Sequence, residues 1–135
     1  MAPYYSKLPV TEITCSNAEQ LGSGGFCFLV AELLQAKYRG SVLWRLTDSI
    51  RTKYAHVFVC VEGHPADIKG FRSIDEMRFD YNDYSLVAEP IEAQSVRDFF
   101  YPNYTQDQLS AGRDVLRCYI NTHNDIFPDR AQMAK

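Results

Sequence analysis

The sequence predicts an α+β domain, with a buried N-terminal helix packed on a small antiparallel sheet and additional helices toward the C-terminus. Three observations carry this expectation. The chain has 135 residues, 46% of them hydrophobic and 23% charged, which suits a single domain, residues 1–135, with one core. The strongest β pattern, His56-Val57-Phe58-Val59-Cys60-Val61, lies mid-chain and is dominated by β-branched and aromatic residues. Helical patterns stand before and after it, so the order is helices, strands, helices rather than a regular alternation.

Taken in order, Ser16 followed by Glu19 has the form of a capping box and predicts a short helical turn ending near Gly22. Ser23-Gly24-Gly25 then permits a close approach before the main helix, which is expected from Phe26 to Arg39. On a helical wheel Glu32, Gln35 and Arg39 share one narrow sector, while Phe26, Val30, Leu33, Leu34 and Tyr38 lie opposite, so the helix is mostly buried. Gly40 stops it. Ser41 to Leu46 is a strand, 47–55 a polar loop, and His56 to Val61 the central strand. Glu62-Gly63 has the character of a two-residue hairpin turn leading into a return strand from Pro65 to Phe71. Ser73 and Glu76 open a short helix, Tyr84 to Ile91 is a further strand, and residues 78–104 otherwise read as a long connection. Thr105 and Gln108 open a helix reaching about Thr122, and the tail from Pro128 is expected to fray.

The formal net charge of −3 and the lack of any long Lys/Arg run argue against a nucleic-acid partner. The apolar runs are too short to span a bilayer, and Met1 to Lys7 lacks the blocks of a signal peptide, so a cytoplasmic protein with no membrane association is expected. Cys15, Cys27, Cys60 and Cys118 are scattered through a domain of ordinary size and read as free thiols. Nothing in the pattern sets an oligomeric state.

The chemistry is concentrated around Cys27, which stands where the glycine-rich loop becomes a helix. A helix N-terminus favours a thiolate and turns unpaired N–H groups toward developing negative charge. In the central strand His56, Phe58 and Cys60 face one way and the valines the other. With a two-residue turn Val61 pairs with His64, which sets Asp67 opposite Phe58 and diagonal to His56 on the same face. Cys27 is then the candidate nucleophile, His56 its base, and Asp67 the group that holds the imidazole. The Cys27 backbone N–H and the side-chain amide of Gln20 or Asn17 are the candidate oxyanion donors, Gln20 being preferred.

The glycine-rich turn, the Cys at the head of a buried helix, the His opening a core strand and the Asp eleven residues later resemble the papain-like cysteine peptidase fold. In compactness they are most similar to its NlpC/P60, transglutaminase-like and bacterial effector or phage branches. The segment Gln20-Leu21-Gly22-Ser23-Gly24-Gly25-Phe26-Cys27 is similar to the papain segment in which an oxyanion Gln precedes the nucleophile, with one additional residue here. The resemblance covers roughly residues 15–72. It implies acyl transfer at a thiol without cofactor or metal, most simply a hydrolase, protease or amidase, acting on a peptide or protein. A deamidase or transglutaminase-like enzyme on the same triad, or a non-catalytic binding or inhibitor protein on this scaffold, are the alternatives.

Each residue also has a plainer reading. Cys27 falls between Leu34 and Tyr38 on the wheel and could be core; Asp67 could cap the hairpin or pair with Lys69. His56 could sit at the surface, as His64 in the turn is expected to, and His123 suits a helix C-terminus. A metal centre is disfavoured, since His56 and Cys60 on one strand face are about 13 Å apart and no paired-Cys spacing occurs.

Overall fold

The structure, a computed structural model, describes residues 13–50 and 53–129. The reading of Met1 to Lys7 and of the extreme C-terminal tail therefore lies outside the described residues. Five antiparallel strands form one sheet: β1 (Val42–Thr47), β2 (Tyr54–Val61), β3 (His64–Asp67), β4 (Gly70–Phe71) and β5 (Val87–Pro90). Their spatial order is β4-β3-β2-β1-β5. Among the described residues there are five α-helices: α1 (Ala18–Ser23), α2 (Cys27–Lys37), α3 (Ile74–Asp80), α4 (Ala93–Phe100) and α5 (Gln106–Thr122). The domain is thus α+β, as expected.

The alternation along β2 explains how both faces of the sheet are filled. Val57, Val59 and Val61 join Leu29, Val30 and Leu34 of α2 and Leu109 and Leu116 of α5 in the main core. Phe58 and Cys60 point the other way and pack with Leu46, Leu86 and Met77 of α3. A strand covered on both faces is buried almost throughout, and β2 is. At Gly22 the α1 backbone approaches so closely that a Cβ would lie 2.6 Å from Ile68 Cγ1 and 2.9 Å from Val30 Cγ2. Only glycine lets α1 sit there and deliver the following loop to the head of α2.

The β2–β3 hairpin forms in the register the turn predicts, with Val61 opposite His64 and Val59 opposite Ala66. Glu62 and Gly63 both have positive φ, 53° and 85°, the geometry of the turn whose twist matches the flanking strands. The return strand, in contrast, is not continuous to Phe71. It breaks after Asp67 and turns back on itself as β4, with Ala66 opposite Phe71 and Asp67 opposite Gly70. Asp67 Oδ1 accepts from the Lys69 N–H at 2.9 Å, and Gly70 takes φ 98°, so the side chain and the glycine close the turn together.

Other boundaries also moved. β2 begins two residues before His56, and β5 spans only part of the Tyr84 to Ile91 segment. The Ser73 and Thr105 capping boxes form fully, but Ser16 lies inside a 3-10 turn with its hydroxyl 3.0 Å from Thr14 Oγ1 and caps nothing. Helix α4 lies within the expected long connection, fixed by Val96 and Phe100 in the core. Phe127 is fully buried and the Tyr38 hydroxyl donates to the Pro128 carbonyl at 2.6 Å, so the chain is anchored as far as Pro128.

Candidate active site

Helices α1 and α2 follow each other through a turn of three residues, Gly24 to Phe26. The Gly24 N–H caps α1 on Gln20 O at 3.0 Å, the Phe26 N–H reaches Leu21 O at 2.9 Å, and the Cys27 N–H donates to Gly24 O at 3.2 Å. Cys27 is the first residue of α2 and is 3% exposed. Its own amide, expected to face an oxyanion, is therefore engaged by the loop that positions it. The corrected picture is a buried thiol at a helix N-terminus whose nearest N–H is already used.

His56 comes to the thiol from β2. Pairing runs Leu46 to His56 and then Thr47 to Tyr54, which leaves Ala55 as an extra residue. Such a bulge re-aims the side chains beside it. One step beyond the Val59–Ala66 pair β3 ends, so no strand among the described residues lies beside His56 on that edge. Through this opening the loop before α2 reaches the α3 side: the Tyr81 hydroxyl donates to Ser23 O at 3.4 Å, while Cys27 packs with the main core.

The imidazole is 2% exposed and bridges two groups. His56 Nε2–H donates to Asp67 Oδ2 at 2.9 Å. Its Nδ1 is buried without a hydrogen bond of ordinary geometry, and the Cys27 side chain is the other group that interacts with the ring. Burial opposes a charge on His56, but the hydrogen bonds and negative charge of Asp67 and Cys27 outweigh it and raise the pKa to about 9. For Asp67, burial favours the neutral acid; the bonds and positive charges of His56 and Arg72 win and lower its pKa to about 2. An imidazolium paired with a carboxylate is thus the resting state at neutral pH.

Two residues beyond the sequence-based set complete the site. Arg72 grips Asp67 through Nη2 to Oδ2 at 2.7 Å and through Nε to both oxygens at 3.1 Å, and also pairs with Asp80. Lys69 Nζ meets Asp80 Oδ2 at 3.3 Å. Tyr81, at the C-terminal end of α3, places its ring 5.8 Å from that of His56. A cavity of about 230 Å³ opens here, walled by Ser23, His56, Asp67, Arg72, Asp80 and Tyr81; Cys27 is not in the wall. The signal for Arg72 was the turn. Asp67, Lys69 and Gly70 could have been read as a reversal, which folds Arg72 back beside Asp67. Tyr81 had no comparable signal, since its position depends on how α3 lies across the sheet.

None of the remaining candidates is in the wall of this cavity. Gln20 is exposed on α1 and Asn17 is half-buried at its N-cap. His64 is exposed at the start of β3, and His123 stacks on Tyr119 at 3.8 Å beyond the end of α5. All four cysteines are free; Cys15 and Cys118 are exposed, and burial pushes the Cys60 thiol pKa up. Among the described residues no group of three or more His, Cys, Asp or Glu side chains could hold a metal ion, and no helix is long and apolar enough to cross a membrane.

Comparison with protein-family models, with curated proteins and with solved structures yields no match. Function therefore has to be argued from the site itself.

Proposed function

We propose that the chain is a cysteine-dependent hydrolase, a protease or amidase of papain-like type, which acts by thiol acyl transfer on a peptide or protein substrate. The observation that carries the reading is His56 between Cys27 and Asp67, with Nε2 committed to the carboxylate and Nδ1 left for the thiol. Asp67 fixes the ring orientation, stays ionised and stabilises the imidazolium; Arg72 and the Lys69 N–H hold the carboxylate in place.

In this mechanism Cys27 attacks the substrate carbonyl carbon as the thiolate, while His56 beside it holds the proton as imidazolium. Collapse of the tetrahedral adduct expels the amine, which takes the proton from His56, and leaves a thioester. Water, giving its proton to His56, then releases the acid and restores the thiolate beside the imidazolium. An amine in place of water gives transamidation, and a glutamine side chain as substrate gives deamidation, both through the same thioester.

One observation favours a second reading. Cys27 and His56 are only 3% and 2% exposed, so substrate reaches sulfur only if the cover moves. A binding or inhibitor protein on this scaffold has no need of that movement. The two readings separate in iodoacetamide labelling of the native protein, followed per cysteine by peptide mass spectrometry. Catalysis requires fast labelling of Cys27 that slows in His56→Gln. A Cys27 that labels no faster than exposed Cys15 and Cys118, with or without His56, sinks the enzyme reading.

A further inference from the structure

We propose that the Tyr81 hydroxyl is the oxyanion donor of this site, hydrogen-bonding the carbonyl oxygen as Cys27 adds to the carbonyl carbon. The inference rests on the acyl-transfer reading and names a group that reading lacks. An acyl-transfer centre needs a donor aimed at the oxygen where charge develops. The two expected ones are not presented to the cavity: the Cys27 N–H is bonded to Gly24 O at 3.2 Å, and Gln20 is exposed on α1 and absent from the cavity wall.

Tyr81 has what they lack. It shares a cavity wall with His56 and Ser23, and its ring lies 5.8 Å from the imidazole. Its hydroxyl donates to Ser23 O, four residues before the nucleophile, at 3.4 Å. A bond that long is weak and is readily exchanged for one to an anionic oxygen. The turn that ends α3 fixes the backbone from which the side chain projects. The Tyr81 N–H bonds Arg78 O at 3.1 Å, the Asn82 N–H bonds Phe79 O at 2.9 Å, and Asn82 takes φ 52°. Burial, followed by the negative charges of Cys27, Asp67 and Asp80, raises the phenol's pKa, so it keeps the proton it must donate.

In the step itself the thiolate sulfur of Cys27 forms the C–S bond and the carbonyl π pair moves onto oxygen. The Tyr81 O–H donates to that oxygen without transferring its proton. When the pair returns, the C=O bond is restored and the leaving group departs; an amine takes the proton from His56, whereas p-nitrophenolate leaves without it.

The test compares two probes on wild type, Tyr81→Phe and Gln20→Ala. Acylation of Cys27 by p-nitrophenyl acetate develops an oxyanion, whereas displacement of iodide from iodoacetamide by the same sulfur does not. Loss of one oxyanion donor predicts that Tyr81→Phe slows acylation roughly a hundredfold to a thousandfold. Iodoacetamide labelling of Cys27 in that variant stays within about twofold of wild type, because the ring still covers the site. Gln20→Ala leaves both rates unchanged. Equal slowing of both probes in Tyr81→Phe would show a packing role and overturn the proposal, as would slowing of acylation by Gln20→Ala alone. The acyl-transfer reading has its own failure, iodoacetamide labelling of wild-type Cys27 that ignores His56, and that result is independent of Tyr81.

Discussion

The two sides of the sheet carry charged clusters of different kinds. On the β5 side Arg45 and Glu89 are register partners, joined by Nη2 to Oε1 at 2.6 Å and Nε to Oε1 at 3.0 Å, with Arg45 lying over the Tyr54 ring at 5.2 Å. Their side chains remain 20% and 27% exposed. Strand pairing accounts for that pair completely. On the β3–β4 side, His56 and Asp67 are each 2% exposed and Arg72 12%. Burying three ionisable groups is costly, and hydrophobic residues of similar volume would serve stability as well or better. This cluster also leaves His56 Nδ1 without a hydrogen bond and borders a cavity. The contrast locates function where the charges exceed what the fold requires.

The sharpest way to break the contrast is to remove one carboxylate on each side. Asp67→Ala strands Arg72 and His56 in the interior and should cost about 3–5 kcal/mol in urea denaturation. A loss below about 1 kcal/mol would mean the cluster is solvated and ordinary. Next in size is the approach to Cys27. Gly22→Ala drives a methyl into Ile68 and Val30 and is expected to cost about 1–3 kcal/mol, together with slower labelling of Cys27. Unchanged stability and labelling would show that α1 does not set the loop.

A smaller effect follows pH. His56 is raised from 6.5 to about 9, so its contribution to stability is full below pH 6.5 and fades as pH rises through 9. Asp67 is lowered from 3.8 to about 2, so its contribution is present above pH 3.8 and fades as pH falls through 2. The stability difference between wild type and His56→Gln should therefore shrink between pH 6.5 and 9; a difference constant over that range contradicts the charged ring. Smallest of all, Glu89→Ala should cost about 1 kcal/mol or less and leave Cys27 labelling unaltered. A larger loss would make the β5 side more than a strand-pairing device.

What could be read from the sequence divides along the same line. The β2–β3 hairpin was legible because its turn needs two positive-φ residues and side-chain parity then fixes His56 relative to Asp67. The main helix was legible from its apolar sector and from Gly40. The break after Asp67 was hidden because the local pattern of β3 and β4 reads as one strand; the Asp67 side-chain bond to Lys69 N–H decides otherwise. Helix α4 did carry a signal, since Ala93, Val96 and Phe100 recur at helical spacing on one face, but it is only eight residues long and burial of that face against the core fixes it. At the site, the Cys27, His56 and Asp67 positions came from element type and parity, while Tyr81 depends on the packing of a separate helix.

The central claim is that His56 carries its charge between Asp67 and Cys27, and the most direct measurement is an NMR titration of the His56 imidazole in wild type and Cys27→Ala. The account predicts a ring that stays protonated to a midpoint of about 9, with the midpoint moving down when the thiol is removed. A midpoint at or below 6.5 that ignores Cys27→Ala would contradict it and leave a structural histidine–aspartate pair.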